Sequence, residues 1–342
     1  MKHKVLVTGG CGYIGSHTIV DLINNDFEVI SIDNNSNADF SAMEGIKRLT
    51  GVDVQNYAVD LCFSDALRRV FEQHPNIVGV IHFAALKSVN ESTLQPLFYF
   101  QNNLISLLNL LKCMELYKIS NLIFSSSCSV YGNSKALPVT ENTPFEEAES
   151  PYARTKQMGE KIIEDYCKFN LSLNATLLRY FNPAGAHPSA IIGESSRNVA
   201  TNLVPVITET GIGKRNSMTV FGYDYPTRDG SCVRDYIHVM DIADAHTKAL
   251  QYLIQQTNTN LCEIFNLGTG NGITVLEAIK TFEAVSGKAL NYQLGERREG
   301  DVISIYANND KAARLLGWKT QYTLEDIMQT AWAWEQIRTS TV

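Results

Sequence analysis

In the stretch Ser150-Pro151-Tyr152-Ala153-Arg154-Thr155-Lys156 a phenol and an ammonium stand four residues apart. Positions i and i+4 share one face of a helix, so Tyr152 and Lys156 point into the same space if the stretch is helical. A cation beside a phenol favours the phenolate and draws its pKa down from about 10. That makes a general base for a hydroxyl proton. The same spacing also occurs in helices where a half-buried tyrosine merely neighbours a solvated lysine, so the pair needs support from elsewhere. The hydroxyl-rich block Ser125-Ser126-Ser127-Cys128-Ser129 follows the apolar run Asn121-Leu122-Ile123-Phe124. At the carboxyl end of a parallel strand, Ser127 would face a ligand crevice beside Tyr152.

The elements that must position these groups are legible in order. Ser150 is a good N-cap and Pro151 a good first helical residue, so a helix runs from about 152 to 169. At the amino end, Val5-Leu6-Val7-Thr8 reads as a strand, and Gly9, Gly12 and Gly15 as a GxxGxxG turn into a helix from Ser16 to Asn24. Such a turn admits close backbone approach and offers a helix N-terminus to a pyrophosphate. The second strand, 28–32, ends in Asp33, an acceptor for ribose hydroxyls that repels a 2′-phosphate and so favours NAD over NADP. A short strand at 54–59, a helix at 64–73, a strand at 78–83 and a long helix at about 94–117 follow. His82 reads as a hydrogen-bonded core histidine, and Asn102 and Asn103 as amides that need partners. A sixth strand, 175–180, precedes Phe181-Asn182-Pro183. This is an α/β chain: a Rossmann-type doubly wound parallel sheet with a smaller α/β C-terminal substrate-binding domain. The expected division is residues 1–180 for NAD and 181–342 mainly for substrate, with some segments of the second part returning to the first.

Composition excludes several classes. The formal charge of −7 argues against nonspecific nucleic-acid binding, and bound phosphates must then be met by local cations and N–H groups. Arg234 and Arg298 have the forked donors for that, though on composition alone a surface ion pair is the better reading of each, as it is of Arg297. No apolar run reaches membrane-spanning length, and the start of the chain reads as a strand and not a signal peptide. The seven cysteines are scattered with no CxxC, which suits a reducing cytoplasm and gives no metal framework.

With these residues in place, the chain resembles the extended short-chain dehydrogenase/reductase family, in its UDP-glucose 4-epimerase branch. The matching blocks are TGGCGYIGSH (8–17), Asp33-Asn34, FSSSCSVYG (124–132), SPYARTK (150–156), LRYFNPAGAHPS (178–189), DYPTRDGSCVRDYIHVMD (224–241), FNLGTGNG (265–272) and RREGD (297–301). The resemblance implies Tyr152, Lys156 and Ser127 as the catalytic trio. It implies NAD contacts at Gly9, Gly12, Tyr13, Ile14, Gly15, Asp33, Asn34, Asn35, Ser36, Asn37, Ala38, Asp60, Leu61, Phe83, Ala84, Ala85, Leu86, Lys87, Asn102, Ser127, Tyr152, Lys156 and Phe181. Substrate contacts are implied at Lys87, Ser127, Tyr152, Asn182, Asn202, Leu203, Thr219, Val220, Phe221, Arg234, Arg298, Asp301 and Ile305. The implied activity is interconversion of UDP-glucose and UDP-galactose by transient oxidation at sugar carbon 4, in a cytoplasmic homodimer paired through the long helix and the Tyr152 helix. No membrane or nucleic-acid partner is implied.

Two rivals share the fold. A nucleotide-sugar 4,6-dehydratase needs an acid and a base after the residue equivalent to Ser127, where this chain has Cys128 and Ser129. A noncatalytic NAD-binding regulator would not need the intact trio. At Ile305 the family has tyrosine when restricted to glucose and galactose, and a smaller residue when N-acetylhexosamines are accepted. Isoleucine is intermediate and stiff, which implies glucose and galactose as the main pair with room for some N-acetyl turnover.

Overall fold

The computed structural model describes residues 2–38, 41–195, 199–298 and 301–340. The first half alternates strand and helix: β1 (Lys4–Thr8), α1 (Tyr13–Asn24), β2 (Glu28–Ile32), α2 (Ser41–Thr50), β3 (Asn56–Tyr57), α3 (Ser64–Gln73), β4 (Ile77–His82), α4 (Val89–Leu94), α5 (Pro96–Leu116), β5 (Asn121–Ser127), α6 (Pro151–Phe169) and β6 (Asn174–Tyr180). The second half carries β7 (Asn182–Ala184), α7 (Leu203–Gly211), β8 (Met218–Phe221), β9 (Val233–Arg234), β10 (Tyr236–His238), α8 (Val239–Ile254), β11 (Cys262–Leu267), β12 (Ile273–Thr274), α9 (Val275–Ser286), β13 (Tyr292–Gly295), β14 (Ser304–Ile305), α10 (Asp310–Leu316) and α11 (Leu324–Ser340).

A seven-stranded sheet has the order β11-β6-β5-β4-β1-β2-β3, with each neighbouring pair parallel. The alternation of side chains along a strand sends Val5 and Val7 to one face and Leu6 to the other. Val5 and Val7 pack with Ile19 and Leu22 of α1 and Ile242 and Leu250 of α8. Leu6 packs with Leu67 of α3, Leu107 and Leu110 of α5 and Ile163 of α6. Both faces are therefore covered, which is why the central strands are apolar throughout. The chain order reverses between β1 and β4, and the carboxyl ends of the strands open there into a crevice.

A separate core made by Ile207 of α7, Ile279 and Phe282 of α9 and Met328 and Trp332 of α11 supports the second half. Its strands are short: one sheet runs β12-β9-β14, and β10 pairs with β7 and β13 with β8. β11 leaves this half and joins the large sheet beside β6, from Cys262 opposite Ala175 to Leu267 opposite Tyr180.

The structure corrects three sequence expectations. α1 begins at Tyr13, not Ser16, because extended Gly12 is its N-cap and Gly15 is already helical. The helix expected to start at 94 begins at Pro96, and Leu94 ends a separate short helix, α4. The strand expected at 54–59 pairs with β2 only at Asn56 and Tyr57.

Candidate active site

The glycine turn is a cradle that side chains would fill. Gly9 has φ +73°, and a Cβ there would lie 2.8 Å from the Ala84 nitrogen; one on Gly15 would lie 2.2 Å from the Gly9 carbonyl oxygen. α1 has no side-chain cap and no acidic residue in its first turn, so its N-terminal N–H groups and dipole are open to an anion. Asp33, at the end of β2, accepts from the Cys11 N–H at 3.0 Å and the Asn35 N–H at 2.8 Å, which ties the turn to β2. Burial raises its pKa despite those bonds. Its carboxylate has further lone pairs for ribose hydroxyls. Asn35 stands in the left-handed region at φ +56°, beside the Asn34 side chain that accepts from the Ser36 N–H at 3.1 Å. These features fit a dinucleotide.

Around the turn, the residues expected to hold a cofactor divide by what their side chains do. Ala38 and Leu61 are buried, so their side chains are not open to a ligand. Tyr13 spends its hydroxyl on the Gly185 carbonyl at 2.5 Å, and Asp60 accepts from the Cys62 N–H at 2.8 Å. The Ala84–Lys87 loop lies against Gly9 and is fixed by Asn103. Asn103 accepts from the Leu86 N–H at 2.8 Å and donates to the Leu86 carbonyl and the Thr155 hydroxyl, both at 3.0 Å. Asn102 donates to Asn103 at 3.0 Å. The amide pair noted in the sequence thus joins α5 to the crevice loop and α6.

Ser150 caps α6, accepting from the Ala153 N–H at 3.2 Å, with Pro151 in the first turn. Tyr152 and Lys156 share one face as the spacing requires, and the Lys156 amine lies 6.0 Å from the centre of the Tyr152 ring. The Ser127 hydroxyl stands close enough to the Tyr152 phenol to favour the phenolate. The electrostatic expectation is corrected, however. The Lys156 amine donates to the Ser125 carbonyl at 2.6 Å and not to the phenol. Burial then wins: it pushes Tyr152 up to about 12 and Lys156 down to about 8. Burial cannot be read from a four-residue spacing. His82 is the core histidine expected, its Nδ1 2.8 Å from the Thr8 hydroxyl, and burial holds its pKa down to about 3.

The second half closes the crevice. Arg298 donates to Asp301 at 2.7 Å, and the Arg234 guanidinium lies 3.9 Å from the same carboxylate oxygen. Arg298 also covers the Phe221 ring, at 5.6 Å. Ile305 lies opposite Arg234 in the β14–β9 register and packs with Phe181 and Val130. Asn182 holds the Asp235 carbonyl through its N–H at 2.8 Å, while its buried Oδ1 has no hydrogen-bond partner among the described residues. Lone buried acceptors of this kind mark a place where a ligand donor fits. Asn202, at the start of α7, donates to Glu194 at 2.9 Å, and the Lys87 amine lies 3.5 Å from that same oxygen. Leu203 packs partly into the second core and the Val220 side chain fully, which leaves Val220 only its backbone for a ligand. Thr219 accepts from the Gln293 side chain at 3.4 Å. Arg297 is the expected surface residue, paired with Asp224 at 2.8 Å. Glu299 and Gly300 lie outside the described residues.

Other groups shape the site, and of these Asp235 and Arg179 escaped sequence reasoning. Asp235 is fully buried and accepts from the Thr269, Gly270 and Ala307 N–H groups at 2.8, 3.1 and 3.1 Å, anchoring the turn beside Arg234. The Cys128 thiol, next to Ser127, is pushed up to about 12 by burial and stays neutral. Arg179, opposite Ser126 in the β5–β6 register, forms no pattern in the sequence, yet it pairs with Glu160 in the interior. No group of residues able to hold a metal ion occurs among the described residues.

The comparisons agree with this geometry. A family model described as GDP-mannose 4,6 dehydratase matches residues 6–331. A UDP-glucose 4-epimerase of Schizosaccharomyces pombe is 46% identical, over 97% of this chain and 94% of the relative. One of Bacillus subtilis is 44% identical, over 97% of this chain and 96% of the relative. Among solved structures, UDP-glucose 4-epimerase from Bifidobacterium longum in complex with NAD+ and UDP superposes with a TM-score of 0.94 at 40% identity, covering 99% of this chain and all of that one. The Rossmann-like parallel sheet expected from the sequence is the sheet observed, and on both sequence and structure the chain belongs to the UDP-glucose 4-epimerase family, within the broader family that the dehydratase model describes.

Proposed function

We propose that the chain interconverts UDP-glucose and UDP-galactose, with NAD as a retained cofactor. The observation that carries the reading is the Ser127 hydroxyl set against the Tyr152 phenol at the carboxyl end of β5, with Lys156 buried behind them. Residues 1–180 would hold NAD through the glycine cradle, Asp33 and the Ala84–Lys87 loop. Residues 181–342 would mainly hold the nucleotide sugar, with Arg234 and Arg298 at its pyrophosphate.

When bound, NAD supplies a two-electron acceptor for the hydride of sugar carbon 4 and a positive charge. Tyr152 takes the proton of the 4-hydroxyl, and Ser127 donates to that oxygen as it becomes a ketone. Lys156 contributes the chain's own positive charge against the burial that disfavours the phenolate. The 4-keto sugar would turn over while Arg234 and Arg298 keep hold of UDP, and Tyr152 would return the proton to the 4-oxygen on reduction from the opposite face. Binding energy from the remote nucleotide supports this loose grip on the hexose. Dehydration is disfavoured, because a neutral thiol at Cys128 and a hydroxyl at Ser129 are poor acid and base at neutral pH.

The chain is further proposed to act as a cytoplasmic homodimer, as its scattered free cysteines and one apolar face suggest. Of the leucine-rich part of α5, Leu107, Leu110 and Leu111 face their own subunit. Leu97, Ile105 and Leu108 of α5 and Met158 of α6 are exposed and give a second copy an apolar surface. No helix among the described residues is long and apolar enough to cross a membrane.

Incubating the purified protein with UDP-galactose tests the assignment. UDP-glucose is the expected product. A 4-keto-6-deoxy sugar would mean dehydration, and NAD binding without turnover would mean a regulator.

A further inference from the structure

Glu160 is fully buried one helical turn beyond Lys156 on α6. Its Oε1 accepts from Arg179 Nε at 2.9 Å, and its Oε2 from Arg179 Nη2 at 2.6 Å, so the β6 guanidinium grips it with two prongs. Ser126 of β5 donates to the same carboxylate. Arg179 is held in turn: its Nη1 donates to the Tyr131 hydroxyl at 2.8 Å, and that hydroxyl donates to Asn266 of β11 at 2.6 Å. One carboxylate thus ties the catalytic helix to the two strands whose ends frame the crevice. The neighbouring residue Ser125 supplies the carbonyl that holds the Lys156 amine.

The groups facing Lys156 make the carboxylate more than a bolt. β4 presents His82, which burial keeps neutral, and β5 presents the Ser125 carbonyl and the Phe124 ring, 5.0 Å from the amine. From β6 comes Arg179 behind Glu160, while Tyr180, paired with His246 at 2.5 Å, turns to the α8 side of the sheet. α6 itself adds Tyr152 and Glu160. Glu160 is the anion of this set. Burial favours loss of the Lys156 proton, and Glu160 opposes that loss.

We propose that Glu160 is a positioning residue for the reaction: it anchors the face of α6 that carries Tyr152 and Lys156 to β5 and β6, and supplies the buried negative charge that Lys156 faces. The inference rests on the catalytic role proposed for Lys156. An uncharged Lys156 cannot offset the ionised phenol, so the role of Glu160 is written into the alkaline side of the pH profile.

The test compares wild type with Glu160→Gln, which keeps the shape and an acceptor but removes the charge. The ¹⁵N signal of the Lys156 side-chain amine, assigned by its loss in Lys156→Met, is followed against pH, together with kcat and KM for UDP-galactose. In Glu160→Gln the amine midpoint and the alkaline limb of kcat should both fall by about one pH unit, with KM within about twofold of wild type. A broken buried pair can prevent folding. Should that variant not fold, Glu160→Gln combined with Arg179→Met removes both charges, and a smaller downward shift is expected, because losing the Arg179 cation offsets part of losing the carboxylate. A folded variant with an unchanged amine midpoint would overturn the proposal. If wild type failed to interconvert the two nucleotide sugars, the proposed function would fall, yet the amine titration would still report on the Glu160–Lys156 pairing.

Discussion

The Lys156 amine and the Tyr152 ring lie 6.0 Å apart on one face of α6, with the amine committed to the Ser125 carbonyl and not to the phenol. In the proposed mechanism Lys156 therefore acts on Tyr152 through the field of its charge. Removing that charge without the side-chain volume, as in Lys156→Met, should lower kcat by about 10²-fold or more. It should also raise the pH at which residual activity appears, because the phenol loses its nearest cation. A kcat profile against pH checks both, and a variant within tenfold of wild type would remove Lys156 from the mechanism.

What the sequence made legible was local. Ser150 and Pro151 announce the start of α6, and 28–32 and 64–73 carry the periodicity that the structure gives them as β2 and α3. The GxxGxxG turn and Asp33 are contiguous signals, so that side of the crevice could be read directly. The second half could not be read in this way. β9, β12 and β14 have two residues each, too few to show an alternation, and they owe their pairing to tertiary context. Glu160 and Arg179 stand on different elements with no spacing rule between them. The direction of the Tyr152 shift was misread because neighbouring charge is visible in a sequence and desolvation is not.

Gly15 packs against the Gly9 carbonyl so closely that an added Cβ would lie 2.2 Å from it. Gly15→Ala should destabilise the fold by about 1–3 kcal/mol through overpacking and open the turn. Retention of NAD through gel filtration should fall, and a denaturant midpoint measured alongside should drop. Full NAD retention would show that the turn is not the pyrophosphate cradle.

Ile305 lies across from Arg234 and packs against Phe181. Tyrosine at this position should fill space that an N-acetyl group would need. Ile305→Tyr should abolish any turnover of UDP-N-acetylglucosamine while sparing UDP-galactose to within about threefold. Equal effects on the two substrates, measured as kcat/KM, would remove Ile305 from substrate choice.

Burial holds His17 and His82 down to about 3 and His238 and His246 down to about 4, from an ordinary value of 6.5. The folded values are depressed, so the stability linked to these neutral rings is complete above pH 6.5 and drains away as pH falls towards the folded values. Urea midpoints should be flat above neutrality and decline from about pH 6.5 downward, before most carboxylates titrate. His246→Gln should decline less steeply over this window. An identical slope would show that His246 does not titrate with unfolding.

Tyr152→Phe is the most direct test, because it removes one hydroxyl and leaves the ring in its buried place. The rate of UDP-glucose formation from UDP-galactose should fall by about 10²–10⁴-fold, with bound NAD and the affinity for UDP retained. A rate within tenfold of wild type, in a variant that still holds NAD and UDP, would contradict the assignment of Tyr152 as the group that moves the sugar hydroxyl proton.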